Sequence, residues 1–413
     1  MMDTVIPVEN RDVLAAVRGF LRQILESGLV ESLFVPLEVG NGMAVPALVT
    51  DADRLALANP LLPVMPINNA RAVSALTGKR TPARLGVVLR PCEIRALIEL
   101  VKLQQANLED VILIGLDCPG TYDLAEYQAS PADQRIQLSD YLVAASQGET
   151  LPGPPSLRLA CQMCVQPVPE QADIHLHFIG VDTLQGIPVT LKDEGALAAG
   201  GFAALKGQRR SKPVETTAPP LQIEERESEN GAGQRRSVKT TGSVETTASV
   251  KTTAVEKLIS TRRQARDREL AAMRARMNAN GGIASIFAAC IRCHNCMTAC
   301  PICYCKTCLF RTAAFDHTPE AYLKAASRKG AQRMLSDTLL FQMTRLNHMS
   351  TSCVSCGMCS AACPSDIPVG TLFSAIGEQV QAAFGYKPGH DVAEPLPLVA
   401  FQADEWTEIG EER

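Results

Sequence analysis

Cys290-Ile-Arg-Cys293-His-Asn-Cys296-Met-Thr-Ala-Cys300-Pro301 and Cys353-Val-Ser-Cys356-Gly-Met-Cys359-Ser-Ala-Ala-Cys363-Pro364 are two copies of one pattern, C-x2-C-x2-C-x3-C-P. Three cysteines spaced this closely can wrap one face of a 4Fe-4S cubane and present three thiolates to three irons. The fourth points away along the following element and, in two-cluster ferredoxins, ligates the other cluster. On that rule one cluster takes Cys290, Cys293, Cys296 and Cys363, and the other takes Cys353, Cys356, Cys359 and Cys300. Zinc sites usually come as two separated pairs. Two full runs that both end in Cys-Pro argue against zinc and against inert core cysteines. Gly357, Ser360, Ala361 and Ala362 are small enough for close backbone approach to the sulfides.

The surroundings of the runs read as helical. Val255–Asn278 is rich in Arg, Ala, Glu and Met and is stopped by Gly281-Gly282, and Pro319–Asn347 joins the two runs. Residues 255–390 are therefore expected to form an α-helical dicluster ferredoxin domain, followed by a tail over 391–413. The arginines of the first helix (Arg262, Arg263, Arg266, Arg268, Arg274, Arg276) read better as a solvated face than as a docking face. Cys303, Cys305 and Cys308 follow the first run directly. They either help hold a further centre, with His294 or His317 as co-ligands, or are spare thiols packed near the cluster. Cys303 also stands close enough to Cys300 to compete as fourth ligand.

Upstream, residues 1–206 alternate between helical and strand-like spacing. An amphipathic stretch runs from Arg11 to Glu26, and short apolar runs occupy Val45–Val49, Leu85–Leu89 and Val111–Leu116. With the helical spacing of Glu93–Gln105 between the last two, they make a βαβ unit, so an α/β domain with a mostly parallel sheet is expected. Cys92 and Cys118 each follow one of these strands and would share the rim where open α/β folds bind ligands. Cys161-Gln-Met-Cys164 completes a set of four. Spacing alone leaves this set open between zinc, a 4Fe-4S cluster and unpaired structural cysteines. His175 and His177 alternate on a strand and read as its polar face.

Between the two domains, residues 207–254 collapse to Ser, Thr, Lys, Glu, Gly and Pro. Ser237-Val-Lys-Thr-Thr-Gly, Ser243-Val-Glu-Thr-Thr-Ala and Ser249-Val-Lys-Thr-Thr-Ala repeat with a short period, and Val214-Glu-Thr-Thr-Ala is a looser relative. So short a unit cannot stack into a solenoid, so the segment reads as a disordered low-complexity linker that lets the halves dock independently.

The order Val-Leu-Arg-Pro-Cys92, Gly-Leu-Asp-Cys118 and Cys161-x2-Cys164, after Leu21-Arg-Gln-Ile-Leu-Glu-Ser-Gly-Leu-Val30, resembles the beta subunit family of coenzyme F-420 hydrogenases and dehydrogenases. The C-terminal half, with Pro-Ile-Cys303-Tyr-Cys305 between the runs, is similar to formate dehydrogenase beta subunits. The resemblance implies that Cys92, Cys118, Cys161 and Cys164 hold a third 4Fe-4S cluster beside a flavin, FAD. It implies a catalytic alpha subunit with a molybdopterin or tungstopterin, an F-420 or heterodisulfide-reductase-like redox partner, and an electron-relaying role for this chain. An F-420-dependent hydrogenase or reductase beta subunit and a non-enzymatic ferredoxin-like adaptor are the rival readings. No family-type glycine-rich flavin stretch stands near the N-terminus.

Composition narrows the classes further. The chain has 413 residues, 15 cysteines and a formal charge of -4, with a pI near 6.0 and few aromatics. That balance disfavours nucleic acid as a partner. Close C-x2-C spacing suits thiolate ligands in a reducing compartment better than disulfides. Met1–Asn10 lack a signal-peptide pattern and no stretch approaches a membrane span, so a soluble cytoplasmic protein is expected. Gly40-Asn-Gly42 lacks the third glycine of a dinucleotide fingerprint and precedes a strand. Leu76-Thr-Gly78-Lys79-Arg80 is not a phosphate loop, since residue 73 is Val and Arg80 replaces Ser or Thr.

Overall fold

A computed structural model describes residues 2–78, 83–131, 134–192 and 244–398, and the following statements concern those residues. The N-terminal part is built on seven strands: β1 (Met2–Pro7), β2 (Ser32–Gly40), β3 (Met43–Val49), β4 (Leu85–Leu89), β5 (Val111–Leu116), β6 (Ile174–Leu176) and β7 (Gly186–Leu191). They form one sheet in the order β1-β7-β6-β5-β4-β2-β3. The expected parallel core is present, because β2, β4, β5 and β6 run parallel. The sheet as a whole is mixed, since β3 pairs antiparallel with β2 at one edge and β7 antiparallel with β6 and β1 at the other. Each of those pairs needs no crossover helix, which is why the βαβ pattern gave no sign of them.

Six helices accompany the sheet: α1 (Val13–Glu26), α2 (Ala70–Thr77), α3 (Pro91–Lys102), α4 (Leu124–Ala129), α5 (Leu138–Ser146) and α6 (Leu159–Gln162). β4 is buried along its whole length, as a central parallel strand must be when both faces are covered. Its residues alternate. Val88 packs with Val17, Phe20 and Leu21 of α1 on one face. Leu85, Val87 and Leu89 face Ile94 and Leu97 of α3, and the same cluster continues through Leu270, Met273, Phe341 and Leu372 of the C-terminal part. The helical part is thus the sheet's outer layer on that side.

This shared core corrects the expectation of independently docking halves. The join is also polar. Glu99 of α3 accepts from Tyr386 Oη at 2.6 Å and from the backbone of Gly389 at 2.7 Å. Arg95 donates to the Val354 carbonyl at 3.0 Å. Buried groups paired this way resist separation, because parting them would leave each one unsatisfied in an apolar setting.

The long helix begins at Val244 rather than Val255, so the linker expected over 207–254 ends earlier; its residues 207–243 lie outside the described residues. Thr and Val are indifferent helix formers, and packing decides the matter. Ala254 and Leu258 close against Ile179, and Gly148 and Gly180 lie under the helix with no room for a Cβ. The arginines of this helix are not simply a solvated face. Arg262 is buried and donates to the Pro119 carbonyl, while Arg266 and Arg274 both pair with Glu378. The stretch expected as one helix over Pro319–Asn347 is two, Pro319–Lys329 and Thr338–Met349. Gly330, left-handed at φ 79°, ends the first. Tail residues beyond 398 lie outside the described residues.

Candidate metal centres

Both cysteine runs fold alike, and the likeness lies in residues the motif leaves free. Arg292 and His294 have φ of 53° and 63°, and Ser355 and Gly357, at the equivalent places, have φ of 57° and 71°. Each run therefore turns left-handed twice before entering a short helix, Asn295–Ala299 or Met358–Ala361. Alternation of this kind aims successive backbone N–H groups into a concavity that suits anionic sulfide. Three of the four residues are not glycine, and such a conformation in L residues is adopted only where the surroundings impose it.

The fourth cysteines cross over as the two-cluster rule requires. Cys290, Cys293, Cys296 and Cys363 line one small cavity with Pro364, Phe341 and Gln342. On the other side Cys300 faces Cys356 and Cys353, and Cys359 faces Cys300. Burial, then the neighbouring thiols, push Cys300 and Cys359 far above the ordinary thiol range. Burial likewise moves Cys353 up to about 11. Thiols this reluctant to ionise become thiolates when a cationic metal replaces the proton.

The N-terminal set comes together from three places. Cys92 follows β4 and opens α3, Cys118 follows β5, and Cys161 and Cys164 lie on and just after α6. The backbone N–H of Cys118 donates to the Pro167 carbonyl at 2.8 Å, which ties the strand end to the C-x2-C loop. Cys92 faces Cys118 and Cys164, and Cys118 faces Cys161 and Cys164. Cys92, Cys161 and Cys164 line a cavity whose opposite wall is Cys353 and Cys356. Gly357, beside Cys356, has no space for a Cβ because Ala160 lies against it. The first-domain site and the second run therefore adjoin.

Four tetrahedral thiolates on zinc stand about 3.8 Å apart, given a Zn–S bond of about 2.3 Å. Among the described residues no three cysteines bring their sulfurs within 4.8 Å of one another.

Two buried arginines bear on the same question. Arg158, 7% exposed, lies 3.4 Å from Cys161 Sγ, and Arg345, 4% exposed, lies 3.0 Å from Cys296 Sγ. The negative partners facing them are thiols: Cys161, Cys92 and Cys356 for Arg158, and Cys296, Cys359, Cys300 and Cys303 for Arg345. A guanidinium stays charged in a protein, and a buried charge is expensive unless it meets its opposite. Metal-bound thiolates and sulfides would supply that opposite. Burial works against ionisation of Cys161, but Arg158 and the Thr121 hydroxyl hold its thiol below the ordinary range.

Cys303 and Cys308 are half-buried beside the core and Cys305 is exposed. Cys303 faces the other two, yet the three form no close donor group among the described residues. His317 is bound to Asp337 at 2.6 Å, and the ring of His294 packs on Phe341.

His175 and His177 are not the polar strand face expected of them. His177 is 4% exposed, and His175 Nε2 meets Asp117 Oδ1 at 2.6 Å. Burial opposes the charge on Asp117, but His175 and the backbone N–H groups of Phe178 and Ile179 hold its carboxyl below the usual range. This buried carboxylate precedes Cys118 and pins the end of β5 to β6. The only sequence signal was an acidic residue next to a cysteine at a strand end.

Comparison with known proteins bears on the cysteine runs as a domain and on the chain as a whole. Residues 286–367 match the family described as the 4Fe-4S dicluster domain. The chain is 25% identical over 402 residues to the F-420-dependent formate dehydrogenase subunit beta of Methanocaldococcus jannaschii, covering 92% of this chain and 93% of that one. It is 25% identical over 412 residues to the F-420-dependent formate dehydrogenase 1 subunit beta of Methanococcus maripaludis, covering 95% and 94%. A chain of the F-420-reducing nickel-iron hydrogenase complex from Methanosarcina barkeri aligns with a TM-score of 0.42 and 15% identity, over 69% of this chain and 94% of that chain. The resemblance read from the cysteine motifs is borne out along nearly the whole sequence. No described helix is long and apolar enough to cross a membrane.

Proposed function

We propose that this chain is the electron-transferring beta subunit of a formate dehydrogenase complex. Formate is oxidised on a molybdopterin- or tungstopterin-dependent alpha subunit, and this chain holds three 4Fe-4S clusters between that subunit and the acceptor. The observation that carries the reading is the arrangement of the cysteines. Three fourfold sets adjoin in a row: Cys92, Cys118, Cys161 and Cys164, then Cys300, Cys353, Cys356 and Cys359, then Cys290, Cys293, Cys296 and Cys363. Such clusters supply one-electron transfer at potentials set by burial and by hydrogen bonds to sulfur. The chain's own part is to hold the thiolates and keep neighbouring sets close.

The two ends differ in access. Cys293 is exposed, and beside it Ile291 is 58% exposed. Apolar side chains left in water around a terminal redox site suit docking of a partner protein. The first set lies at the carboxyl rim of the parallel strands, where open α/β folds receive small ligands. That rim, with the F-420 dependence in the relatives' names, supports FAD and F-420 exchange at this end.

The test is elemental. Anaerobically purified full-length chain is expected to hold about twelve irons with matching sulfide, at about four per cluster, together with flavin. About eight irons and no flavin would overturn the three-cluster flavoprotein reading.

A further inference from the structure

The two buried arginines occupy equivalent stations in the row of cysteine sets. Arg158 bridges the first set and the middle one. Its Nη2 reaches Cys161 Sγ at 3.4 Å, its Nη1 reaches the Cys356 carbonyl at 3.4 Å and Met358 Sδ at 3.1 Å, and its Nε is fixed by Thr121 Oγ1 at 2.9 Å. Arg345 bridges the middle set and the third. Its Nη1 donates to Cys296 Sγ at 3.0 Å and to Gln342 Oε1 at 3.1 Å, and its Nη2 donates to the Cys296 carbonyl at 3.0 Å. Its charge also faces Cys300 and Cys359 of the middle set. Phe341 and Phe373 flank its guanidinium, at 5.5 and 5.1 Å from their ring centres.

We propose that Arg158 and Arg345 are positioning residues that set the reduction potentials along the relay, each raising those of the two sets it bridges. The inference rests on the cluster-holding reading of the three sets. Each transfer moves one electron from one cluster to its neighbour; no bond is broken, no proton moves and the arginine stays protonated. On reduction, one more negative charge stands opposite the guanidinium, which favours the reduced form, and a buried site screens that attraction weakly. The effect falls with distance. Arg345 therefore acts most on the third set, less on the middle set and least on the first, and Arg158 acts in the reverse order. The middle set lies between both cations, which keeps it reducible despite its burial between two other clusters.

The test is an EPR-monitored redox titration of the full-length chain, after iron and sulfide analysis of the unmodified protein. Arg345→Gln is expected to move the midpoint of the third-set cluster to more negative potential, shift the middle cluster less and leave the first unchanged. Arg158→Gln is expected to mirror that pattern. Arg345→Lys and Arg158→Lys, which keep the charge, are expected to return the midpoints toward the unmodified values. Unchanged midpoints in Gln variants with full iron would overturn the proposal, and so would equal shifts of all three clusters. If a Gln variant loses iron, the Lys variant decides: retained iron at a near-native midpoint supports the role, and equal loss of iron overturns it in favour of a purely structural one. An unmodified chain that holds no clusters at these sets would instead defeat the relay itself.

Discussion

The C-terminal cysteine runs and the N-terminal four-cysteine site gather their thiols by opposite routes. Each run is local: within about a dozen residues it fixes three thiols, two left-handed turns and a helix start, and it takes only its fourth cysteine from the other run. The N-terminal site is topological. Cys92 and Cys118 are neighbours only because β4 and β5 pair in parallel with Leu89 opposite Gly115, and Cys161 and Cys164 arrive on a separate loop. A local site needs little beyond its own backbone geometry. A topological site depends on the whole sheet.

The largest test of this contrast concerns the borrowed ligand. Cys363→Ser should disturb the cluster of the first run, whose cavity it lines, and leave the EPR signal of its own run's cluster in place. If the second run's signal is lost instead, the crossover fails and each run is self-contained. Replacing both Cys161 and Cys164 with Ser should lower iron from about twelve to about eight per chain. The two C-terminal signals should persist, as the separate origin of the sites requires.

A milder perturbation asks whether the sheet and helical parts stand or fall together. Leu372 is fully buried in the core they share, so Leu372→Ala should cost about 2–5 kcal/mol. Denaturant unfolding followed separately by a probe in each part should show both midpoints falling together. Movement of the C-terminal midpoint alone would show the halves to be independent.

The smallest expected effect is on pH. Burial pushes His177 down to about 3, aided by His175 and Lys251 and opposed by Asp117. It is therefore neutral in the fold at pH values where an unfolded histidine, near 6.5, already takes a proton. The unfolded state binds more protons below that value, so stability is complete above about pH 6.5 and declines as the pH falls toward 3. His177→Gln should flatten this decline. An unchanged slope would remove His177 as its cause.

What could be read from the sequence follows the same division. The two runs, the crossed placement of their fourth cysteines and the βαβ unit around Cys92 and Cys118 were legible because each depends on spacing along the chain. Strands β6 and β7 were not, since β6 is three residues long, and His175 within it and His177 just after it mimic a polar face while both turn to the buried Asp117. The early start of the Val244–Asn278 helix was hidden for a related reason. Residues of weak helical propensity are held there by glycines more than sixty positions away. Arg158 and Arg345 carried no signal, because a buried arginine and a surface one look alike until the partners are in place.

The shared core has a consequence for the covalent connection between the halves. Lys192 and Val244 border the longest stretch outside the described residues, yet the contact between the parts is made by Leu89, Leu97, Leu270 and Phe341, with Glu99 gripping Tyr386 and Gly389. A peptide bond cut between 193 and 243 would leave that contact whole. The protein could be supplied as two polypeptides from two reading frames and still assemble into one particle. The intervening residues are then free to differ in length and composition without touching the shared core.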